Sequence, residues 1–527
     1  MKFKIVSFII VMFASTNVFA TNLLDVYHQA LLGDSIFQQA ISQRLADREA
    51  VPIAMSSLLP SASIVAAPYI TRIDRSGSAT FPGTNNMHGY DLTLNLSQTI
   101  FDFSKIAGVT GAREIAKEAN ANLSAALQDL MIRVSKAYFA ILEDEDNLVY
   151  IKATRTAYAK QLDQVKQQFQ VGLKTITDVY TAQASYEGAS AAYIGATSQL
   201  ANDNENLRVI TGAIYPSIAK LSEQFPLVRP NPENVDAWIK KSLQQNWKLK
   251  AAEYFAESAR QNIKQQFAGH FPTLNAVGTY DINYSKNVGN SGVFGPFNPA
   301  GSNRVRTSTV SLNLNIPLVQ GGLVVAQTNQ ARYQYQVAYQ QLDLQARSAL
   351  NITRQSYINV IAGISKISAD KQAIKSSISS LEGMEAGYRV GTQILYNVLD
   401  QQQRVFQAQK QYATDRYAYV INMLTLKQAA GILSERDLEC VNTWLMEDRS
   451  HEYRETTTAH EVENNKVVTD INHHKSLASA LKNPQLSKPV KMVLLNKGIM
   501  LAKAKKVNPQ KTADARKKDL RDLAAIA

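Results

Sequence analysis

Two short runs carry residue types and spacings suited to chemistry. Thr175, Thr177 and Asp178 set two hydroxyls beside a carboxylate, and Asp400 precedes Arg404 by four positions. Covalent chemistry needs more than this. The chain has no metal-ligand helix motif, nucleophile elbow or phosphate loop, so neither an enzyme nor a cofactor or metal is expected. Four of the seven histidines lie in the C-terminal region, and the adjacent His473 and His474 supply too few fixed ligands for a metal. Cys440, the single cysteine, cannot form an intrachain disulfide. What remains is hydrogen bonding and ion pairing. Thr175-Ile176-Thr177-Asp178 is a capping-box pattern that can satisfy the first turn of a helix, and Asp400 with Arg404 forms a pair on one helix face.

The elements that must position these residues are written twice. Phe169 to Val179 and Tyr388 to Val398, about 219 positions apart, each set an aromatic and a Val-Gly break between long breaker-poor helical patterns. A glycine after a long periodic run suits the left-handed position that ends a helix, and a following Thr can cap the next one. Each run is therefore expected to be the tip of a helical hairpin. Leu59-Pro60 recurs as Phe271-Pro272, and Leu94 to Ser97 recurs as Leu312 to Asn315, at nearly the same separation. A repeat this long is a tandem duplication of a whole structural unit.

The chain has 527 residues but only 15 prolines, and its start resembles an export signal. Lys2 and Lys4 precede an apolar run from Ile5 to Phe13, and Val18-Phe19-Ala20 places small residues for cleavage after Ala20. That run is too short to span a bilayer, and no later stretch approaches the roughly 18 apolar residues that a membrane helix needs. Any membrane crossing must use strands. The formal charge is +12, but from Lys475 onward there are 13 Lys or Arg against 3 Asp, so the tail carries +10 of it. Such a segment is expected to be solvated or disordered, and nucleic acid is not expected as a partner.

Two stretches in each half alternate at period two. Leu92, Leu94 and Leu96 alternate with Asp91, Thr93, Asn95 and Ser97, and Val310, Leu312, Leu314 and Ile316 with Thr309, Ser311, Asn313 and Asn315. One face is apolar and the other carries Asn, Thr, Ser and Asp, which suits lipid on one side and water on the other. Leu23 to Leu58 reads as helix, broken at Gly33-Asp34 and kinked at Pro52. Long heptad seams follow the strands, one including Leu130, Val134, Ile141, Tyr158, Val165 and Phe169, the other Val360, Ile367, Ile378 and Tyr388. The stretch after about Leu433 shows no strong pattern. Four membrane strands cannot stand alone in lipid, because their edges would expose unpaired backbone groups. Two copies would make a filled eight-stranded barrel, and three a twelve-stranded one with a lumen.

Ala137-Tyr138-Phe139, Phe169 through Val179, Gly321-Gly322, and Met384 to Tyr388 running into Leu399-Asp400 resemble TolC-type outer-membrane channels, over about Leu23 to Leu438. The resemblance implies an α+β membrane protein: a homotrimer with a twelve-stranded β-barrel, four strands per protomer, continuous with a long α-helical coiled-coil tunnel across the periplasm. It implies an exit duct in the outer membrane of a Gram-negative bacterium for drugs, toxic compounds or secreted proteins. Its partners would be outer-membrane lipid, a periplasmic adaptor and an inner-membrane transporter. A gate would form from Thr177, Asp178, Tyr388 and Gln393, and a constriction ring from Asn397 and Asp400. Gln393 and Asn397 depart from the family's arginine and aspartate, so two charges are missing. Val171, Gly172, Leu173, Val390, Gly391 and Thr392 would be the adaptor-docking tips.

The expected division is a signal at 1–20, a first repeat at 21–225 and a second at 226–440, followed by a C-terminal region at 441–527. The first repeat holds a hairpin at 61–101, a long helix at 104–170 and a shorter one at 177–212. The second holds a hairpin at 273–319 and helices at 322–388 and 393–431. The rival reading is a non-conducting periplasmic coiled-coil scaffold anchored in the outer membrane.

Overall fold

The computed structural model describes residues 21–75, 83–287 and 302–445. The expected signal and the basic tail lie outside them. The chain begins with three short helices, α1 (Leu23–Gly33), α2 (Ser35–Arg48) and α3 (Ala50–Ser56). Asp34 separates the first two and caps the second, its carboxylate accepting from Phe37 N at 3.0 Å. The kink expected at Pro52 falls instead at Glu49. Pro52 sits in the first turn of α3, where its missing N–H costs nothing, and its ring excludes a helical carbonyl four residues back.

Strands β1 (Ser61–Arg75) and β2 (Gly83–Phe101) form an antiparallel hairpin, and β3 (Thr273–Asn287) and β4 (Ser302–Asn315) form a second. β2 pairs with β3, giving one four-stranded sheet in sequence order. β4 ends at Asn315, short of the expected 319, because Pro317 has no N–H to donate and the Gly321-Gly322 turn follows, both glycines at positive φ. The register places Leu94 beside Ile64 and Tyr280, and Leu96 beside Ala62 and Gly278, itself beside Val310. Partners in register share a face, so the apolar residues of all four strands line one side. That side is bare: Val310 is 89% exposed and Leu312 70%. On the other side Thr93 Oγ1 donates to Asp281 Oδ1 at 2.6 Å, and the Asn283 amide reaches Asp91.

From the sheet run α4 (Phe103–Gln170) and α8 (Leu323–Arg389), of 68 and 67 residues, each about 100 Å long at 1.5 Å per residue. α4 packs against α2 and α3 near the sheet and against α5 (Ile176–Thr211) beyond, so short helices in series flank one long one. α8 is flanked likewise by α7 (Trp247–Phe267) and α9 (Leu395–Ala429), and α7 also lies along α4. Between α5 and α7 come the linker and α6 (Val235–Gln245).

The main core lies midway along the helices. Tyr27, Tyr138, Phe139 and Tyr419 are fully buried there, each contributing about 1.5–3 kcal/mol by transfer from water. The linker is tied to it by polar groups that would otherwise be costly to bury. Tyr138 Oη donates to Ala219 O at 2.7 Å, Tyr419 Oη to Val228 O at 2.7 Å, and the buried Arg416 guanidinium to Ser222 O at 3.0 Å. A further helix, α10 (Glu435–Leu445), fills the stretch read as patternless. It buries Leu438, Val441 and Leu445, and it runs across the boundary expected at 440. Ser434 Oγ and N both donate to Asp437 at its start, a cap signal visible in the sequence.

Candidate functional site

Each hairpin turns on a glycine with positive φ, Gly172 at 77° and Gly391 at 80°. Beyond each glycine the chain folds back, Leu173 N donating to Gln168 O at 2.8 Å and Thr392 N to Gly387 O at 2.9 Å. These bonds satisfy carbonyls that the ends of α4 and α8 would leave orphaned. The two tips are then restarted differently. Thr175 caps α5 in a closed capping box: Asp178 N donates to Thr175 Oγ1 at 3.2 Å, and Thr175 N to Asp178 Oδ2 at 3.1 Å. α9 has the apolar Ile394 at its N-cap and so no side-chain cap, while Thr392 Oγ1 bonds back to Gly387 O. Val171, Leu173 and Val390 are exposed at the tips, each by 70% or more.

The hairpins are joined just behind the tips. Tyr158, Leu162 and Val165 of α4 and Val179 of α5 bury Leu395 and Leu399 of α9, with Tyr388 packed alongside. Tyr158 Oη donates to Leu399 O at 3.0 Å; burial, with the nearby Asp400 charge, pushes its pKa up. Tyr388 reaches the first hairpin through its ring, over which Lys174 Nζ stands 4.3 Å from the centroid. Its hydroxyl is buried with no hydrogen-bond partner among the described residues.

The residues expected at the gate are thus close together but differently bonded. Asp178 is occupied by its own cap, and Gln393 Oε1 accepts from Asn397 Nδ2 at 2.9 Å on its own helix. Arg389 bonds back to Glu385 O at 3.4 Å. Thr177 is exposed and its carbonyl accepts from Thr181. Asp400 pairs with Arg404 at 2.9 Å and lines a groove of about 700 Å³, shared by Tyr158 of α4, Ser185 of α5 and Phe406 of α9. Two seam residues read as core, Phe169 and Ile378, stay 41% and 38% exposed in the protomer. Lys174 and Tyr158 are the residues missed. One stood in a tip without a motif, and the other looked like an ordinary seam position.

Farther from the tips each hairpin holds a carboxyl pair between its two helices. Burial, with the hydrogen bond and charge of Asp203, pushes Asp144 up to about 7; burial and Asp415 push Asp370 up to about 6. Two carboxylates this close do not both ionise readily. Among the described residues no cluster of three or more His, Cys, Asp or Glu could hold a metal, and no helix is long and apolar enough to cross a membrane.

The family model described as outer membrane efflux protein matches residues 26–213 and again 238–432, once on each half. Outer membrane protein TolC of Vibrio cholerae is 36% identical over 431 residues, covering 82% of this chain and 95% of that one. The alkaline protease secretion protein AprF of Pseudomonas aeruginosa is 27% identical over 433 residues, 80% of this chain and 87% of that one. Among solved structures, the outer membrane protein VceC from Vibrio cholerae superposes with a TM-score of 0.63 at 20% identity, over 78% of this chain and 96% of that chain. At that identity the likeness is one of fold.

Proposed function

The chain belongs to the outer membrane efflux protein family, and from that premise we propose that it acts as a homotrimer, an outer-membrane exit duct for efflux or type I secretion. The observation that carries this reading is the sheet. One face is apolar and bare, the other polar, and β1 and β4 are both open edges. In lipid such edges must be paired. Three copies give twelve strands, with the apolar face toward lipid and the Asp, Asn and Thr face toward a water-filled lumen. The exposed Phe169 and Ile378 then become contacts between copies.

The repeats at 21–225 and 226–440 each supply one strand hairpin and one helical hairpin, extended at the end by α10. The helices continue the duct through the periplasm. At their far end the tips converge: Lys174 and Tyr388 hold the two hairpins of one protomer together, while Thr177, Asp178 and Gln393 offer donors and acceptors between protomers. Asn397 and Asp400 supply the constriction ring. Val171, Gly172, Leu173, Val390, Gly391 and Thr392 form the surface that a periplasmic adaptor, coupled to an inner-membrane transporter, docks on. No step of this function makes or breaks a covalent bond.

Reconstitution in planar bilayers tests it. A purified trimer should conduct ions, weakly when the tips are closed and more strongly when they are loosened. A folded trimer that never conducts would instead favour the scaffold reading.

A further inference from the structure

Most basic residues of the sheet stand on one face, toward the end remote from the helices. On the side of Val310 and Leu312, the outermost row shared by all four strands pairs His88 with Lys286, and beyond it only β1 and β2 continue, through Arg72–Asn86 and Asp74–Thr84. Inward of His88, the next row pairs Tyr90 with Tyr284, and Tyr284 with Arg304; the next pairs Leu92 with Ile282, and Ile282 with Arg306. No carboxylate stands on this side in the rows of His88, Tyr90 and Leu92. Asp91 and Asp281 lie on the opposite side, engaged with Asn283 and Thr93.

Nor is Arg304 loose. Its guanidinium stands 5.7 Å from the centroid of Tyr284, whose ring stacks on Tyr90 at 5.2 Å and 25°, and its Nη2 donates to Tyr90 Oη at 3.4 Å. Ten residues separate Leu314 from Arg304, about 34 Å of strand, or roughly 25 Å of height at barrel tilt. That is the height of an apolar band. The Tyr90–Tyr284 stack therefore falls where an aromatic girdle belongs, with Arg304 level with it and Arg306 one row inside, within reach of the headgroups by its long side chain. A guanidinium fork held by a ring loses little freedom on binding, and its geometry matches two phosphate oxygens.

We infer that Arg304, braced by Tyr90 and Tyr284, forms with Arg306 and Lys286 a binding site for the phosphate of an outer-leaflet lipid headgroup. The inference rests on the barrel reading above. It adds a lipid of specified chemistry to a surface that hydrophobic matching alone would leave indifferent to headgroup.

The probe is a bis-phosphorylated glycolipid, lipid A, against the same glycolipid stripped of its phosphates, so that the acyl chains are constant. The full-length trimer is reconstituted in phosphatidylcholine vesicles containing one or the other. Tightly held glycolipid is counted after detergent extraction, and conductance is recorded in parallel. Retention of the phosphorylated form should exceed that of the stripped form by about tenfold per arginine engaged. It should fall to the stripped level in Arg304→Gln/Arg306→Gln, with conductance unchanged. Arg306→Lys alone, which keeps the charge and loses the fork, should give intermediate retention and guards against a double variant that misfolds. Equal retention of the two lipids, a double variant that retains both as wild type does, or full displacement by millimolar inorganic phosphate would overturn the inference. A wild-type protein that neither inserts nor conducts would refute the barrel itself, an outcome separate from these.

Discussion

Lys174 Nζ stands 4.3 Å from the centre of the Tyr388 ring, joining the turn of one hairpin to the end of the long helix in the other. Such a contact is worth about 0.5–1 kcal/mol at a partly exposed site. Lys174→Ala should therefore raise the open fraction about two- to fivefold per protomer. Tyr388→Phe keeps the ring and removes a hydroxyl that has no partner among the described residues, so it should leave closure nearly unchanged. Single-channel open probabilities of the two variants check the pair; opening by Tyr388→Phe would assign the closure to the hydroxyl instead.

Asp400 shares its charge with Arg404 at 2.9 Å. Neutralising the acid and neutralising the base should have opposite effects on the field in the groove. Asp400→Asn is expected to lower cation selectivity and Arg404→Gln to raise it, because attraction in a narrow passage is poorly screened. Reversal potentials in a salt gradient measure both. Asn397→Asp should act in the same direction as Arg404→Gln.

Asp144 gives a pH dependence with a definite sign. Its carboxyl titrates at about 7 in the fold, against 3.8 ordinarily, so the fold prefers the neutral form. The stability this contributes is complete below about pH 4 and is lost as pH rises through about 7. Wild type should lose thermal stability between pH 5 and pH 8, and Asp144→Asn, which stays neutral and can donate to Asp203, should lose less. Melting curves at the two values decide it.

The two faces of β4 should respond unequally to charge. Val310→Arg places a guanidinium on the bare apolar side, at a cost of about 2–4 kcal/mol at mid-membrane. Thr309→Arg, one residue away, points to the other side and should be tolerated. Refolding yields into lipid vesicles separate them, and equal yields would mean that the apolar side does not meet lipid.

The sequence by itself determined the duplicated frame, the strand alternation and the two tips. Period two, heptad spacing and a glycine needed at positive φ are local constraints that each segment carries alone. Even α10 was legible in principle, from Ser434, Asp437 and the spacing of Leu438, Val441 and Leu445. Only the tertiary structure decided which side chains meet. Tyr158 bonds a carbonyl on α9, Arg416 holds the linker, and Lys174 rather than Asp178 faces Tyr388, because each contact depends on the axial register between helices remote in sequence. Heptad spacing specifies the face a helix presents. It leaves open how far one helix slides along another, and packing of the central core around Tyr138 and Tyr419 sets that.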